Sequence, residues 1–281
     1  MHIKKEAAQA MTPDYSALDQ PAVLRFLFYP RKEWEQGPSG LFAQDLMIPV
    51  ENNTVVGARF HLASPEAPNI LYFHGNGEIV ADYDDLAEIY NDHGLNFLPV
   101  DYRGYGRSSG TPTVTSMLGD AGVIFEFVVR YLERKQYTGP MIVMGRSLGS
   151  ASALELAASH AQAINGLVIE SGFADTTSLL RTLGVDTHTI GFTETREMGN
   201  LDKIRNFKGP VLIIHAEFDH IIPFSDGQAL FDACTAQDKT LLRIPGANHN
   251  DIFQHGFEAY MDAIRTLAEK AKQNAGQISR K

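Results

Sequence analysis

Apolar positions along the chain follow two alternating rhythms. Residues 44–50 and 54–62 read as strands joined by the turn-type cluster Glu51-Asn52-Asn53. From Asn69 onward, short apolar runs at 70–73, 97–100, 141–144, 167–169, 211–214 and 240–244 have the length of buried strands. Between and after them, apolar residues three and four apart predict helices over 79–93, 114–133, 148–160, 225–236 and 252–268. The 114–133 stretch sets Val123, Ile124, Phe127, Val128, Tyr131 and Leu132 on one face. The last stretch does the same with Phe253, Phe257, Tyr260, Met261, Ile264 and Leu267.

An antiparallel start followed by repeated strand–helix units predicts an α/β fold with a mostly parallel central sheet of about eight strands, helices covering both faces. In such sheets functional groups collect beyond the carboxyl ends of the strands. Residues 175–208 break the rhythm and are long for a plain connection, so a small cap is expected over that edge. The expected organisation is an N-terminal arm at 1–40 docking on the core, a domain at 41–272 and a flexible tail at 273–281.

Composition leaves the fold reading in place and narrows the partners. A chain of 281 residues, 44% of them hydrophobic, can bury the core of one α/β domain or of two small ones. A net charge of −10, with basic residues grouped only at short tips such as 130–135, argues against nucleic acid and anionic membrane surfaces. Cys234 is the only cysteine, which excludes an intrachain disulfide and fits a reducing compartment. Lys4 and Lys5 run into Glu6-Ala7-Ala8-Gln9-Ala10 without an apolar region, so no signal peptide is expected. The apolar stretch 22–30 is broken by Arg25 and is too short to span a bilayer; it reads as a docking helix, with a membrane-skimming anchor as the lesser alternative. A cytoplasmic location is the resulting expectation. No Cys-x-x-Cys or His-x-x-x-His set suggests a metal, and no cofactor is expected.

The candidate chemistry sits at strand ends. Gly145-Arg146-Ser147-Leu148-Gly149 places a serine between two glycines, after a strand and before a helix. That context makes Ser147 a candidate nucleophile on a sharp turn, with the helix N-terminus aimed at developing negative charge. His74-Gly75-Asn76-Gly77 follows the 70–73 strand and can lend the Asn76 N–H to an oxyanion hole, with the Leu148 N–H as second donor. As a bare motif it is equally a glycine turn leading into a helix. Asp219 lies a few residues past the 211–214 strand, and His249 lies on the loop between the last strand and the last helix. The chain order Ser147, Asp219, His249 supplies nucleophile, orienting acid and base for acyl transfer. Glu170, ending the 167–169 strand, is the rival acid. Asp251 is read as capping the terminal helix, Arg146 as pointing away from substrate, and Arg103 as tying its loop to nearby carbonyls. Arg107 shares with Arg103 the alternative of neutralising a substrate anion.

With these residues the chain resembles the α/β-hydrolase superfamily, over about residues 42–268. Asp101-Tyr102-Arg103-Gly104-Tyr105-Gly106-Arg107-Ser108-Ser109-Gly110 is similar to a loop of that family's small esterases and depalmitoylase-like members, and the Gly145–Gly149 and His74–Gly77 strings resemble the same branch. The resemblance implies the α/β-hydrolase fold and a serine hydrolase acting on a small-molecule acyl ester or thioester. Asp219 followed by Pro223 fits the family pattern for the acid. Such relatives often carry an N-terminal membrane anchor that is not read here, which turns the expectation away from a membrane-bound lipid or palmitoyl-protein substrate. A peptidase, acyltransferase or lyase on the same three residues is the alternative, with Glu194 and Glu197 as groups that could hold a substrate amine. A dehalogenase would need a carboxylate in place of Ser147, and a non-catalytic binding protein would be favoured by loss of one of the three.

Overall fold

The computed structural model of the protein describes residues 15–34, 43–51, 53–188 and 198–278. Its strands are β1 (Ala43–Pro49), β2 (Val55–His61), β3 (Asn69–Phe73), β4 (Asn96–Val100), β5 (Met141–Arg146), β6 (Gly166–Glu170), β7 (Val211–Ala216) and β8 (Lys239–Ile244). They form one sheet in the order β1-β2-β4-β3-β5-β6-β7-β8. β1 and β2 pair antiparallel, β2 meets β4 antiparallel, and every later pairing is parallel. The expected sheet of about eight strands with an antiparallel start is therefore present.

Burial follows position in the sheet. β3, β4, β6 and β7 are buried at every residue, and β5 at all but Arg146, because helices cover both faces. Successive residues point to opposite sides, so Leu71, Phe73, Val143, Leu167, Ile169 and Ile213 join one core. Ile70, Tyr72, Ile142, Met144, Val168, Leu212 and Ile214 join the other. The first core is closed by α3 (Val114–Lys135), α4 (Gly149–Ser159), α6 (Asn200–Asn206) and α7 (Phe224–Ala233). The second is closed by α2 (Asp84–Asp92) and α8 (Ile252–Ile278).

Local sequence explains the helix ends. α3 starts where Thr113 Oγ1 accepts the Ser116 N–H at 3.0 Å and Ser116 Oγ accepts the Thr113 N–H at 2.9 Å, and it stops at Gln136 in the left-handed region. Its buried stripe includes Met117, Ala121, Ile124, Phe125, Val128, Tyr131 and Leu132, whereas Val123, expected on that face, is 37% exposed. The correction is geometrical: Val123 lies one residue off the 3.6-residue stripe. α8 kinks at Gly256, where a Cβ would meet Ile244 Cδ1 at 2.6 Å. It then runs on to Ile278, through most of the stretch expected as a tail from 273. The extension has an anchor, since Ala271 is buried in the second core. Residues 279–281 lie outside the described residues.

Of the expected cap, α5 (Thr176–Thr182) borders the carboxyl edge of the sheet, while α6 belongs to the helical layer with Ile204 fully buried. Residues 189–197, including Glu194 and Glu197, lie outside the described residues. At the N-terminal end, α1 (Pro21–Leu27) buries Val23 and Leu27 against the first core. Trp34, the chain's only tryptophan, is 89% exposed. Among the described residues no helix is long and apolar enough to cross a membrane.

Candidate active site

Ser147 occupies the two-residue turn between β5 and α4, with a positive φ of 51°. A non-glycine residue in that conformation carries strain of about 1–3 kcal/mol, which the surrounding packing must offset. The two glycines make the turn feasible. A Cβ on Gly145 would collide with the Gly149 carbonyl, and one on Gly149 would collide with the Phe73 carbonyl. The Ser147 N–H is tied to the Glu170 carbonyl at 2.9 Å, which fixes the turn to β6.

The loops after β7 and β8 bring two more side chains to this turn. His249 Nε2 lies 3.0 Å from Ser147 Oγ, and His249 Nδ1 lies 2.7 Å from Asp219 Oδ2. Asp219 Oδ1 accepts the N–H groups of Ile221 at 3.0 Å and Ile222 at 2.8 Å, so the carboxylate is held from both ends. Burial works to raise the Asp219 pKa, but the His249 hydrogen bond and charge, with the Ile222 and Ile221 amides, hold it below the usual carboxylate value. An ionised Asp219 accepts a hydrogen bond from Nδ1–H, leaving Nε2 to accept the Ser147 hydroxyl hydrogen. All three side chains are buried.

Both expected oxyanion residues border the same cavity as Ser147. Among the described residues neither the Asn76 N–H nor the Leu148 N–H has a hydrogen-bond acceptor. The Asn76 loop is braced from beneath: the Gly75 N–H donates to Glu78 Oε2 at 2.6 Å, and Gly77 turns at φ 78°. Asn76 Oδ1 accepts the Tyr29 N–H and the Tyr105 hydroxyl, each at 2.7 Å.

Glu170 does not reach His249. Its carboxylate bonds Arg146 Nε at 3.1 Å and accepts the Tyr260 hydroxyl at 2.7 Å, and burial pushes its pKa up. Arg146 corrects the sequence reading, because it borders the cavity. It pairs with Glu78 and Glu170, and its Nη2 donates to the His249 carbonyl at 2.9 Å and to Asn250 Oδ1 at 3.3 Å. Arg103 binds Asp120 through two 2.6 Å bonds instead of nearby carbonyls, and Arg107 pairs with Glu33 and Asp45. Neither arginine borders the Ser147 cavity. Asp251 folds back onto Asn248, accepting its N–H at 2.7 Å and its side-chain amide at 2.6 Å. The sequence reading missed His215, which stands 3.6 Å from Asp219 Oδ2 with Nε2 2.8 Å from the Ile222 carbonyl. Its position four residues before Asp219, on the same strand end, was the available signal. Burial lowers its pKa.

The cavity over Ser147 measures about 260 Å³ and mixes two chemistries. Asn76, Glu78, Arg146, His249 and Asn250 are polar; Phe26, Leu27, Leu148, Leu179, Leu183, Ile221 and Ile222 are apolar. A larger hollow of about 520 Å³ lies between the end of α2 and α8 and holds none of these residues. Among the described residues no cluster of histidine, cysteine, aspartate or glutamate is placed to hold a metal ion.

Relatives place this geometry in a family. Human alpha/beta hydrolase domain-containing protein 17B is 31% identical over 221 residues, which cover 76% of this chain and 71% of that one. The chain belongs to the α/β-hydrolase superfamily. Within it, residues 64–185 of this hydrolase match a family model described as serine aminopeptidase, S33. The uncharacterized protein YfhR of Salmonella typhi is 24% identical over 273 residues, 89% of this chain and 90% of that one. The Pyrococcus furiosus esterase Pf2001 shares the fold at a TM-score of 0.69 with 17% identity, over 86% of this chain and 98% of its own. Membership supports hydrolase activity.

Proposed function

We propose that this hydrolase cleaves a carboxylic ester or thioester of a small acyl substrate through an acyl-enzyme on Ser147. The observation that carries the reading is the unbroken line from Asp219 Oδ2 through His249 to Ser147 Oγ, at 2.7 and 3.0 Å. His249 Nε2 takes the hydroxyl proton as Ser147 Oγ attacks the carbonyl carbon. The Asn76 and Leu148 N–H groups receive the resulting oxyanion. Collapse breaks the bond to the leaving alcohol or thiol, which leaves with the proton from His249. Water then attacks the acyl-enzyme, giving its proton to His249, and the acid departs as Ser147 recovers its hydrogen. Asp219 stays ionised throughout and holds the imidazole tautomer. The chemistry needs no cofactor.

A peptidase on the same three residues is the second reading, favoured by the serine aminopeptidase description of the family model. A series of p-nitrophenyl esters from acetate to palmitate, with fluorophosphonate labelling of Ser147 as control, separates the two. Ser147→Ala should lower ester turnover about 10⁴-fold or more and abolish labelling, with an unchanged melting profile. Equal turnover in both proteins would end the ester reading. Labelling of Ser147 without ester turnover would favour the peptidase.

A further inference from the structure

We infer that the N-terminal arm is a working part of the active site, and that Phe26 on α1 sets the length of acyl chain the enzyme accepts. The inference rests on the acyl-enzyme reading above and adds the residue that reads the substrate.

Among the described residues, three segments supply most of the apolar wall of the Ser147 cavity: Phe26 and Leu27 from α1, Leu179 and Leu183 on and after α5, and Ile221 and Ile222 from the Asp219 loop. The polar lining is linked to the reacting residues: Arg146 pairs with Glu78 and donates to the His249 carbonyl and to Asn250 Oδ1, and Asn76 borders the same cavity as Ser147. A substrate with an apolar acyl chain and a polar leaving group matches that division.

The arm is fixed to the site by polar contacts as well as by packing. The Tyr29 N–H is shared between Asn76 Oδ1 at 2.7 Å and the Tyr105 hydroxyl oxygen at 2.8 Å. Arg31 Nε donates to the Gly77 carbonyl at 2.7 Å, and Arg31 pairs with Asp82. The Gly106 N–H donates to the Arg31 carbonyl at 2.8 Å, and Lys32 Nζ donates to the Ser108 carbonyl at 2.7 Å. The loop that offers the Asn76 amide is therefore sewn to the segment that carries Phe26.

Within α1 the labour is divided. Val23 and Leu27, one turn apart, are buried and hold the helix on the core. Phe26 packs against the same core but is only half-buried; the Arg25 guanidinium lies 4.8 Å from its ring centre, and the side chain borders the cavity. The helix keeps its two buried anchors, Val23 and Leu27, when the Phe26 side chain changes size. Each methylene gained or lost against an apolar wall alters kcat/KM about fourfold.

The test measures kcat/KM for p-nitrophenyl acetate, butyrate, octanoate and palmitate in the full chain, in Phe26→Ala and in Phe26→Trp. Alanine should raise the long- to short-chain ratio about tenfold or more and tryptophan should lower it by as much, corresponding to two or more methylenes. A ratio that stays fixed, or moves the same way in both variants, overturns the inference while leaving the acyl-enzyme reading intact. If no ester is turned over, the same ratio is read from the rates at which short- and long-chain alkyl fluorophosphonates label Ser147. Failure of both probes to react with the unaltered protein would overturn the acyl-enzyme reading, and the inference with it.

Discussion

Arg146 shows how a side chain's task is set by what surrounds it. It joins the Glu78 that braces the oxyanion loop, the Glu170 at the end of β6 and the carbonyl of His249 itself. Arg146→Met should lower kcat about 10²-fold with little change in KM, because a displacement of the base loop by about 1 Å costs that much. Arg146→Lys should recover only part, since a lysine cannot reproduce the forked geometry; steady-state kinetics of both variants decide it. Asp219→Asn should cost about 10⁴-fold in kcat by presenting the wrong tautomer. Glu170→Gln should be mild, because Glu170 bonds Arg146 and Tyr260 instead of His249; the reverse ranking would move the acid to Glu170. Ser147, Asp219 and His249 were legible because residue type, strand context and chain order are local properties. Phe26 and Glu78 were not, because what they join lies far along the chain: Phe26 and Ile222 line one cavity, and Glu78 pairs with Arg146, only once the chain is folded.

At the scale of elements, the turn between β5 and α4 is the place where sequence leaves least freedom. Gly149→Ala should destabilise the protein by about 1–3 kcal/mol, as overpacking does, because its Cβ has the Phe73 carbonyl in its way. Urea unfolding monitored by far-ultraviolet dichroism measures it. Most strands and helices were readable, since a run of buried β-strand or a 3.6-residue stripe is written in consecutive residues. Boundaries were less so. The end of α8 depends on Ala271 reaching the second core and on Asn274 meeting the Asn165 carbonyl, contacts that periodicity does not contain. The role of α1 was similarly hidden, since its seven residues show a short apolar run and nothing of the loop they fasten.

Across the described residues, the carboxylates whose pKa values are shifted divide into two groups with opposite pH dependence. Asp45, Asp84, Glu78 and Asp219 are held below their ordinary pKa values by arginine or histidine partners that outweigh burial. In the unfolded chain they bind protons more readily, so the stability they contribute is present above their ordinary values and is lost as pH falls through about 4 and below. Glu170, Asp120 and Asp226 are raised by burial, so the folded state binds their protons more readily and stability falls as pH rises through their shifted values. Unfolding temperature should therefore drop steeply on acidification below about pH 4, and Arg59→Met should reduce that slope. Arg59 is buried between Asp45 and Asp84 at 2.6 Å each, with Glu33 at 3.3 Å. A melting series across this pH range in both proteins checks the sign.

Trp34 carries a consequence for how any of these stabilities can be read. As the chain's only tryptophan, and with 89% of its surface in water, it has almost no folded environment to lose. Its emission should be that of a solvated indole in native and denatured protein alike, so a melt followed by tryptophan fluorescence would look flat while the core came apart. The buried tyrosines, among them Tyr72, Tyr90, Tyr105 and Tyr260, are the chromophores whose near-ultraviolet dichroism will mark the transition.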